Sequence, residues 1–423
     1  MINERFGKLG IEGFLQHHWH KKPLFVAGAF NDVADELEFD EHDLAAFATD
    51  EAVESRLVRE HHEGREWTVQ NGPFDDETLE QLPAGGWSLL VQGLEQWVPS
   101  MAALLDEFRF LPNWRLDDIM ASFAPPGGSV GPHYDQYDVF LIQVKGKRTW
   151  QLGELPADIG GKSRQPSAGD ISAALSPWLR TDTDLKILKD FPFSDTFEAN
   201  PGDLLYLPPG YAHFGVASED AITLSVGFRS IDPAQLALYW SEEANEQLTG
   251  RLLSDPLRRG PGSVTTDDSG RIDSASLAEA RKALLSALDD CPLLQHAFCR
   301  AASESRNSSA LGEQAQANGL TADEWLAAAL ETGLSCRDGS RFVYSHEGDS
   351  LVFGVDGDTY DCEAGWLDHV KTLCHERFVE LPVSEAERFD TASDLVHLMF
   401  KLYQHGSVCV HCDDVEDDPD DQD

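Results

Sequence analysis

The stretch that decides the fold is residues 130–153, VGPHYDQYDVFLIQVKGKRTWQLG. It opens on His133-x-Asp135 and continues into two segments of alternating, β-branched and aromatic residues separated by Lys-Gly-Lys. This pattern is typical of two strands joined by a turn. Because successive side chains of a strand point to opposite faces, His133 and Asp135 share one face. The stretch therefore predicts β-structure that begins with two potential metal ligands side by side.

The same β-rich pattern extends on both sides of this stretch, from about Trp114 to Ser230. Candidate strands are residues 116–125, 137–146, 148–153, 202–208 and 221–230. Strands at such spacings, with few helical patterns between them, favour a sandwich or barrel such as a jelly roll over an alternating βαβ fold. The polar interval 160–200 predicts a lid or an insertion over the mouth of that barrel.

A third potential ligand follows in PGDLLYLPPGYAHFGVA, residues 201–217. Here His213 comes after a predicted strand and a Pro-Pro-Gly turn, so that a loop returning to the barrel mouth could present it. Two imidazoles and one carboxylate leave three coordination positions open, which is the arrangement of non-haem Fe(II) oxygenases. Zinc instead favours closed tetrahedral sites. We predict an iron site made by His133, Asp135 and His213.

Beyond Arg229 the hydrophobic pattern becomes helical. Predicted helices follow Asp232 and cover LAEARKALLSAL (277–288), and their apolar faces could pack on the barrel or on a second copy of the chain. From Thr321 a third unit begins with a capping-box pattern and includes a hairpin that turns at Asp356-Gly357. Helices combined with one hairpin predict a small winged-helix-like domain.

The composition limits the possible partners. The chain has 75 acidic and 32 basic side chains and a net charge of −43, which would repel the phosphates of nucleic acids. The acidity fits either a surface adapted to a salt-rich cytoplasm or one that attracts a basic partner protein. No run approaches the roughly 20 apolar residues of a membrane span, and the N-terminus lacks a secretory signal. We therefore expect a cytoplasmic protein.

The seven cysteines are an odd number and lie in the last third of the chain, which favours reduced thiols over a disulfide framework. Among them, Cys409-x-x-Cys412 has zinc-like spacing, with His405 and His411 nearby. A second cysteine pair is missing, and the segment runs directly into an acidic tail. The sequence leaves the role of Cys409 and Cys412 open.

Three segments, residues 122–153, 201–215 and 225–229, resemble the JmjC ribosomal oxygenases, and among them the bacterial enzymes that hydroxylate an arginine of a large-subunit ribosomal protein. Shorter pieces that also match are residues 14–30, 55–58, 71–74, 87–97 and 111–120. The resemblance implies an α+β chain whose core is a double-stranded β-helix, the jelly roll of JmjC and cupin proteins. The predicted domains are the JmjC/cupin catalytic domain (1–230), a helical dimerisation module (231–305), a winged-helix-like domain (306–412) and a disordered acidic tail (413–423).

The resemblance also implies which residues bind the cosubstrate 2-oxoglutarate. Arg148 matches the position of the basic residue that grips the distal carboxylate, and a guanidinium pairs bidentately with a carboxylate inside an apolar barrel. Lys145 and Lys147 are alternatives if the register is displaced. Ser225 and Thr223, on the strand after His213, are candidates for further hydroxyl contacts.

An arginine substrate needs a carboxylate or a phenol to receive its guanidinium. Asp118, Met120 and Ser122 share one strand face, and Tyr137 shares the face of the first two metal ligands if the strand is regular. We therefore predict Asp118, Met120 and Tyr137 as substrate contacts.

The resemblance implies a 2-oxoglutarate-dependent dioxygenase that uses Fe(II) and dioxygen to hydroxylate the β-carbon of an arginine. Its substrate would be a basic large-subunit ribosomal protein, and the enzyme would be a homodimer that binds neither nucleic acid nor membrane. Related oxygenases hydroxylate histidine, and JmjC demethylases oxidise an N-methyl carbon, so both activities stay open. A non-catalytic acidic chaperone of a ribosomal protein is a further alternative, against which the three ligands and Arg148 argue together.

Overall fold

The computed structural model describes residues 2–61, 66–154, 178–181, 183, 185–189, 193–250, 252–253, 272, 274–289, 291–305, 319–381, 389 and 393–411. The chain divides into two compact units, Met1–Ser230 and Ile231–Asp423. Most of the predicted lid, Cys412 and the acidic tail lie outside the described residues. None of the helices in these residues is both long and apolar enough to span a bilayer.

The first unit is built from twelve strands over its described ranges. They are β1 (Leu24–Val26), β2 (Ser55–His61), β3 (Glu66–Asn71), β4 (Trp87–Val91), β5 (Leu116–Ala124), β6 (His133–Tyr134), β7 (Val139–Lys145), β8 (Arg148–Glu154), β9 (Asp195–Ala199), β10 (Leu204–Leu207), β11 (Tyr211–Ala217) and β12 (Ala221–Phe228). One sheet has the order β1-β10-β7-β12-β5-β4-β2-β3, and the other has the order β6-β11-β8-β9. Two antiparallel sheets packed face to face confirm the predicted double-stranded β-helix.

The two faces of strand β7 contribute to two different apolar clusters. Its alternate residues Phe140 and Ile142 belong to the main core, which also contains residues of the helices on the outer face of the large sheet. Val139 and Leu141 belong to a second apolar cluster that joins the two sheets. A strand that is buried on both faces has an unbroken apolar sequence, and this is what makes 139–142 so recognisable. The helices of this unit are α1 (Ile2–Arg5), α2 (Gly10–His17), α3 (Asn31–Glu36), α4 (Glu41–Thr49), α5 (Asp76–Glu80) and α6 (Pro99–Asp106).

The five predicted strands correspond to β5, β7, β8, β10 and β12, whose observed ends are close to the predicted ones. Two reasons account for four of the seven described strands of this unit that the prediction omits. β1 and β6 are too short to show an alternating pattern. β3 (EWTVQN) is an edge strand of the large sheet and β2 (SRLVREH) is its neighbour. Both carry charged and polar residues, as is common where the edge of a sheet meets solvent.

The second unit combines helices with two small sheets. Its helices are α7 (Pro233–Leu248), α8 (Ser274–Leu288), α9 (Cys291–Ser303), α10 (Ala322–Thr332), α11 (Leu367–Glu376) and α12 (Asp394–Gln404). Its strands are β13 (Leu334–Cys336), β14 (Phe342–Glu347), β15 (Ser350–Val355), β16 (Asp358–Cys362), β17 (Phe378–Val379) and β18 (Val408–Val410). The sheet orders are β17-β13-β18 and β14-β15-β16.

Two local predictions for this unit agree with the structure. The capping box at the start of α10 is present, because Thr321 and Glu324 each accept the other's backbone N–H. The β15–β16 hairpin turns at Asp356-Gly357, where both residues have positive φ, 48° and 91°, as a tight hairpin turn requires. Helix α9 and strand β15 belong to the same compact unit, so the division at residue 305 into two domains stays a prediction.

Candidate metal centre and active site

The three predicted ligands lie together at one end of the barrel. His133 on β6 and His213 on β11 are direct partners in the strand register, and their ring centroids are 4.2 Å apart. Asp135 follows β6, and its Oδ2 lies 3.6 Å from Nε2 of His213. One potential ligand atom from each residue lies within 4.8 Å of the others. His213 is in a strand rather than in the predicted loop, because the Pro-Pro-Gly turn ends before β11 begins at Tyr211.

Both imidazoles are oriented for coordination through Nε2. Nδ1 of His133 lies 2.9 Å from the carbonyl oxygen of Gly131, and Nδ1 of His213 lies 3.1 Å from that of Tyr211. Because a carbonyl only accepts hydrogen bonds, each Nδ1 carries the proton and each Nε2 keeps its lone pair. The Asp135 backbone is also fixed, since its carbonyl accepts from Gly210 N–H at 2.9 Å. This donor set fits a divalent transition metal.

Burial prepares His213 to act as a neutral ligand. Its side chain is almost completely buried, and desolvation, followed by the proximity of His133, lowers its pKa to about 4. The neutral imidazole is the form that binds metals. Among the described residues, this triad is the one group of three potential metal ligands whose ligand atoms lie within 4.8 Å of one another. Cys412 lies outside them, and Cys409 donates its S–H to the Ser335 carbonyl.

Arg148 lies inside the barrel, away from the metal end. On β8 it shares a face with Leu152, the residue that pairs with His213, and four residues of strand separate them by about 13 Å. Arg148 is 4% exposed, and its Nη1 donates to Ser122 Oγ across the barrel at 3.4 Å. Its Nε and Nη2 have no hydrogen-bond partner in the described part of the chain.

The Arg148 guanidinium is a buried cation that stays protonated. Desolvation lowers its pKa to about 10, still well above neutrality. Such a group is stable in an apolar interior only with an anionic partner, so the position suits a carboxylate ligand. The alternative Lys145 is paired with Glu41 and is 43% exposed on its side chain, because the Lys-Gly-Lys turn lies at the barrel surface.

Ser225 and Thr223 face the same interior but differ in availability. Thr223 Oγ1 donates to Gln143 Oε1 at 2.8 Å, and the Gln143 amide is held by the carbonyls of Lys145 and Ile222. The hydroxyl proton of Thr223 is therefore already engaged. Ser225 is 7% exposed, and among the described residues its hydroxyl has no hydrogen-bond partner. Ser225 is the better placed of the two for a cosubstrate.

The three predicted substrate contacts differ in exposure and in their surroundings. Asp118 is 5% exposed and Tyr137 is 43% exposed. Met120 Sδ accepts a weak hydrogen bond from Gln92 Nε2 at 3.8 Å. The charge of Asp135 raises the pKa of the Tyr137 phenol, as do burial and the charge of Asp118, so the phenol is neutral at physiological pH. The three predicted contacts thus offer a carboxylate, a neutral phenol and a thioether.

A second charged cluster went unrecognised in the sequence. Asp138 is fully buried, and it accepts from Tyr206 Oη at 2.6 Å and from Arg115 Nη2 at 3.1 Å. Arg115 Nη2 also lies 3.3 Å from His20 Nε2, so this ring carries its proton on Nδ1, which is 3.2 Å from Asp138 Oδ2. The sequence signal was an aspartate directly before an apolar strand. The cluster fixes the start of β7, three residues after the metal ligand Asp135.

The chain is similar in sequence to several known proteins. The JmjC domain model matches residues 103–236. The ribosomal protein uL16 3-hydroxylase of Escherichia coli is 41% identical over 244 residues, which are 57% of this chain and 59% of that protein. The bifunctional lysine-specific demethylase and histidyl-hydroxylase NO66 of Drosophila persimilis is 29% identical over 236 residues, 50% of this chain and 29% of that protein.

The fold match extends further than the sequence match. The structure of the E. coli ribosomal oxygenase YcfD in complex with cobalt and 2-oxoglutarate aligns with a TM-score of 0.73 and 27% identity, covering 95% of this chain and 98% of that one. The aligned sequence segments, in contrast, span three-fifths or less of the two curated relatives. Residues 103–236 of this chain are therefore similar to JmjC domains, and its fold is similar to that of the E. coli ribosomal oxygenase YcfD.

Proposed function

We propose that the protein is an Fe(II)- and 2-oxoglutarate-dependent ribosomal oxygenase that hydroxylates uL16. The observation that carries this proposal is the pairing of two features in one barrel. A His133, Asp135, His213 triad lies at one end, and Arg148, a buried cation with unfilled hydrogen-bonding capacity, lies deeper inside. Neither feature alone specifies the cosubstrate, but together they suit a ligand that chelates a metal at one end and carries a carboxylate at the other.

The triad would hold the metal on one side and leave three positions open. Fe(II) bound there supplies, together with 2-oxoglutarate and dioxygen, the oxidising chemistry that hydroxylates a C–H bond. Arg148 binds and orients the distal carboxylate, with Ser225 as an additional donor. The apolar residues that join the two sheets, including Leu141 and Leu205, exclude water from this interior.

For the substrate we propose an arginine side chain, hydroxylated at its β-carbon. The Asp118 carboxylate and the neutral Tyr137 phenol offer acceptors for a guanidinium, and Met120 offers an apolar surface for its methylene stem. The E. coli relative is a uL16 3-hydroxylase, which agrees with this chemistry. A basic ribosomal protein also suits an enzyme with a charge of −43, because opposite charges accelerate association, and it implies a cytoplasmic location.

We also propose a homodimer. Helix α8 has no buried residue, and its leucines Leu277, Leu284, Leu285 and Leu288 are 43–59% exposed. A helix that exposes so many leucines is typical of an interface between subunits. A monomer in light scattering at micromolar concentration would contradict the assignment.

Mass spectrometry of uL16 tests the proposed activity. After incubation with the Fe(II)-loaded protein, 2-oxoglutarate and air, one arginine should gain the mass of one oxygen atom. His133→Ala should abolish this gain, because two ligands do not hold the metal in place. No gain with the wild-type protein, under conditions in which it binds Fe(II), would refute uL16 hydroxylation.

Histidine hydroxylation is the second candidate, favoured by the similarity to NO66. The same spectra discriminate the two, because fragmentation assigns the added oxygen to arginine or to histidine. Loss of a methyl group with release of formaldehyde from methylated peptides would instead indicate a demethylase.

A further inference from the structure

The strand pairing is irregular next to Asp118. Between Val226 and Phe228 the register of β12 against β5 shifts, so that Asp117 and Asp118 together face the single residue Gly227. Two residues opposite one constitute a β-bulge, which bends the strand locally and turns a side chain in a new direction. Bulges of this kind are common beside active sites.

Gly227 provides space at this bulge rather than an unusual backbone conformation. A Cβ atom built on it would lie 3.2 Å from Asp118 Oδ1 and 3.7 Å from Asp118 O. The Asp118 carboxylate therefore leans over the bare backbone of Gly227. Gly227 is absent from the glycines with positive φ, so an alanine could adopt its conformation. The methyl group of an alanine would, however, displace the Asp118 carboxylate from its position.

Gly227 lies near two of the predicted substrate contacts, Asp118 and Tyr137. It follows Ser225 by two residues and so faces the barrel interior with it. On the side away from Asp118, Gly227 pairs with Val139 of β7, two residues after Tyr137. Asp118 thus lies beside Gly227 on one neighbouring strand, and Tyr137 lies two residues before the partner of Gly227 on the other.

We propose that Gly227 is a specificity-determining residue, because its missing side chain lets the bulged Asp118 carboxylate turn into the pocket and receive a cationic side chain of arginine length. This inference rests on the proposed function. Gly227 itself makes no polar contact with the substrate. It acts through the direction of Asp118, and a carboxylate displaced by a few tenths of an ångström no longer matches both N–H groups of a guanidinium.

The expected result for Gly227→Ala is a selective loss. kcat/KM for uL16 should fall about tenfold, since small misplacements at a reacting centre have effects of this order or larger. The KM for 2-oxoglutarate and the slow turnover of 2-oxoglutarate without substrate should stay at wild-type values, because Arg148 and the metal ligands are untouched. Gly365→Ala is the control, since a Cβ there meets nothing within 4 Å.

A double-mutant cycle tests whether Gly227 acts through Asp118. Asp118→Asn should lower kcat/KM for uL16 about 100-fold, the effect of a charged hydrogen-bonded pair. Adding Gly227→Ala to it should cause little further loss, because the group that alanine displaces no longer carries the charge. Additive losses, or wild-type kcat/KM in Gly227→Ala, would overturn the inference.

Two further measurements distinguish a failure of folding from a failure of the inference. Thermal unfolding should place Gly227→Ala close to wild type. If it does not fold, Asp118→Glu probes the same space, because its extra methylene needs the volume over Gly227. Wild-type kcat/KM in Asp118→Glu would contradict the inference. Wild-type protein that turns over no uL16 refutes the proposed function and this inference with it, whereas an additive cycle in active protein refutes only the inference.

Discussion

Two of the charged side chains that the first unit buries, Asp138 and Arg148, are accommodated in opposite ways. The Asp138 carboxylate receives hydrogen bonds from Tyr206 and Arg115 and lies beside the Nδ1–H of His20. The Arg148 guanidinium makes one long hydrogen bond, to Ser122, and two of its nitrogens have none in the described chain. Because an unpaired buried charge costs free energy, we interpret the first as a structural anchor and propose the second as the binding site for a carboxylate. The difference lies in the hydrogen-bond partners, not in the depth of burial.

The largest expected effect is on catalysis, for Arg148→Met. This variant keeps about the same side-chain volume but removes the guanidinium that pairs with the carboxylate of 2-oxoglutarate. kcat/KM for 2-oxoglutarate should therefore fall about 1000-fold, as for loss of a bidentate charged pair. Arg148→Lys should be intermediate, because it keeps the charge without the planar fork. Succinate formation measures both. A change of less than about threefold in Arg148→Met would mean that the cosubstrate binds elsewhere.

The opposite result is expected for Asp138→Ala, whose main effect is on stability. It leaves Arg115 and Tyr206 without their acceptor, so the free energy of unfolding should fall by about 3 kcal/mol. Urea denaturation without metal or cosubstrate measures this difference. Asp106→Ala is the control, because its pair with Arg109 has a 46% exposed carboxylate and should contribute less than about 1 kcal/mol. Equal decreases in the free energy of unfolding of the two variants would show that the buried Asp138 contributes no more than an exposed ion pair.

A smaller effect concerns pH. Burial, followed by the charges of Arg115 and Lys21, lowers the pKa of His20 from 6.5 to about 4. The unfolded chain therefore binds a proton at this position between these values and the folded chain does not, so stability is lost as the pH falls from about 6.5 to 4. His20→Gln should remove on the order of 2 kcal/mol of this acid sensitivity. Urea denaturation of the wild type and of His20→Gln between about pH 6.5 and 4 measures this difference, and the same pH dependence in both would contradict the prediction.

The smallest effect per group is expected from surface charge. With a net charge of −43, raising KCl from about 0.1 M to about 1 M shortens the screening length from about 10 Å to about 3 Å and weakens self-repulsion. The Tm should rise by about 3 °C or more. The stability deficit of Asp138→Ala should persist in high salt, because buried pairs are screened much less. If the stability deficit of Asp138→Ala disappeared at high salt, Asp138 would behave like an exposed surface charge.

The sequence sufficed where residue type and spacing act locally. His133-x-Asp135 required only the alternation of a strand, and the β-branched and aromatic residues of 137–146 were enough to predict β7. The capping box at Thr321 and the turn at Asp356-Gly357 are likewise local rules. The jelly roll followed from the spacing of such strands, with the help of a family resemblance.

What the sequence did not indicate depends on long-range pairing. Whether His213 lies in a strand or a loop is decided by its pairing with His133, 80 residues away. The engagement of Thr223 by Gln143 and the clustering of His20 with Asp138 require the fold, because these partners are distant in sequence. The bulge at Asp118 arises from a register shift, which depends on the neighbouring strand and leaves no mark in the alternation itself.

Calorimetric titration of 2-oxoglutarate into the Fe(II)-loaded, oxygen-free protein tests the central claim most directly. The account predicts one tight site per chain in the wild type and in Gly227→Ala, and affinity weaker by about 1000-fold in Arg148→Met. Equal affinity of wild type and Arg148→Met would contradict it, because the buried guanidinium would then have some other purpose than to receive the cosubstrate.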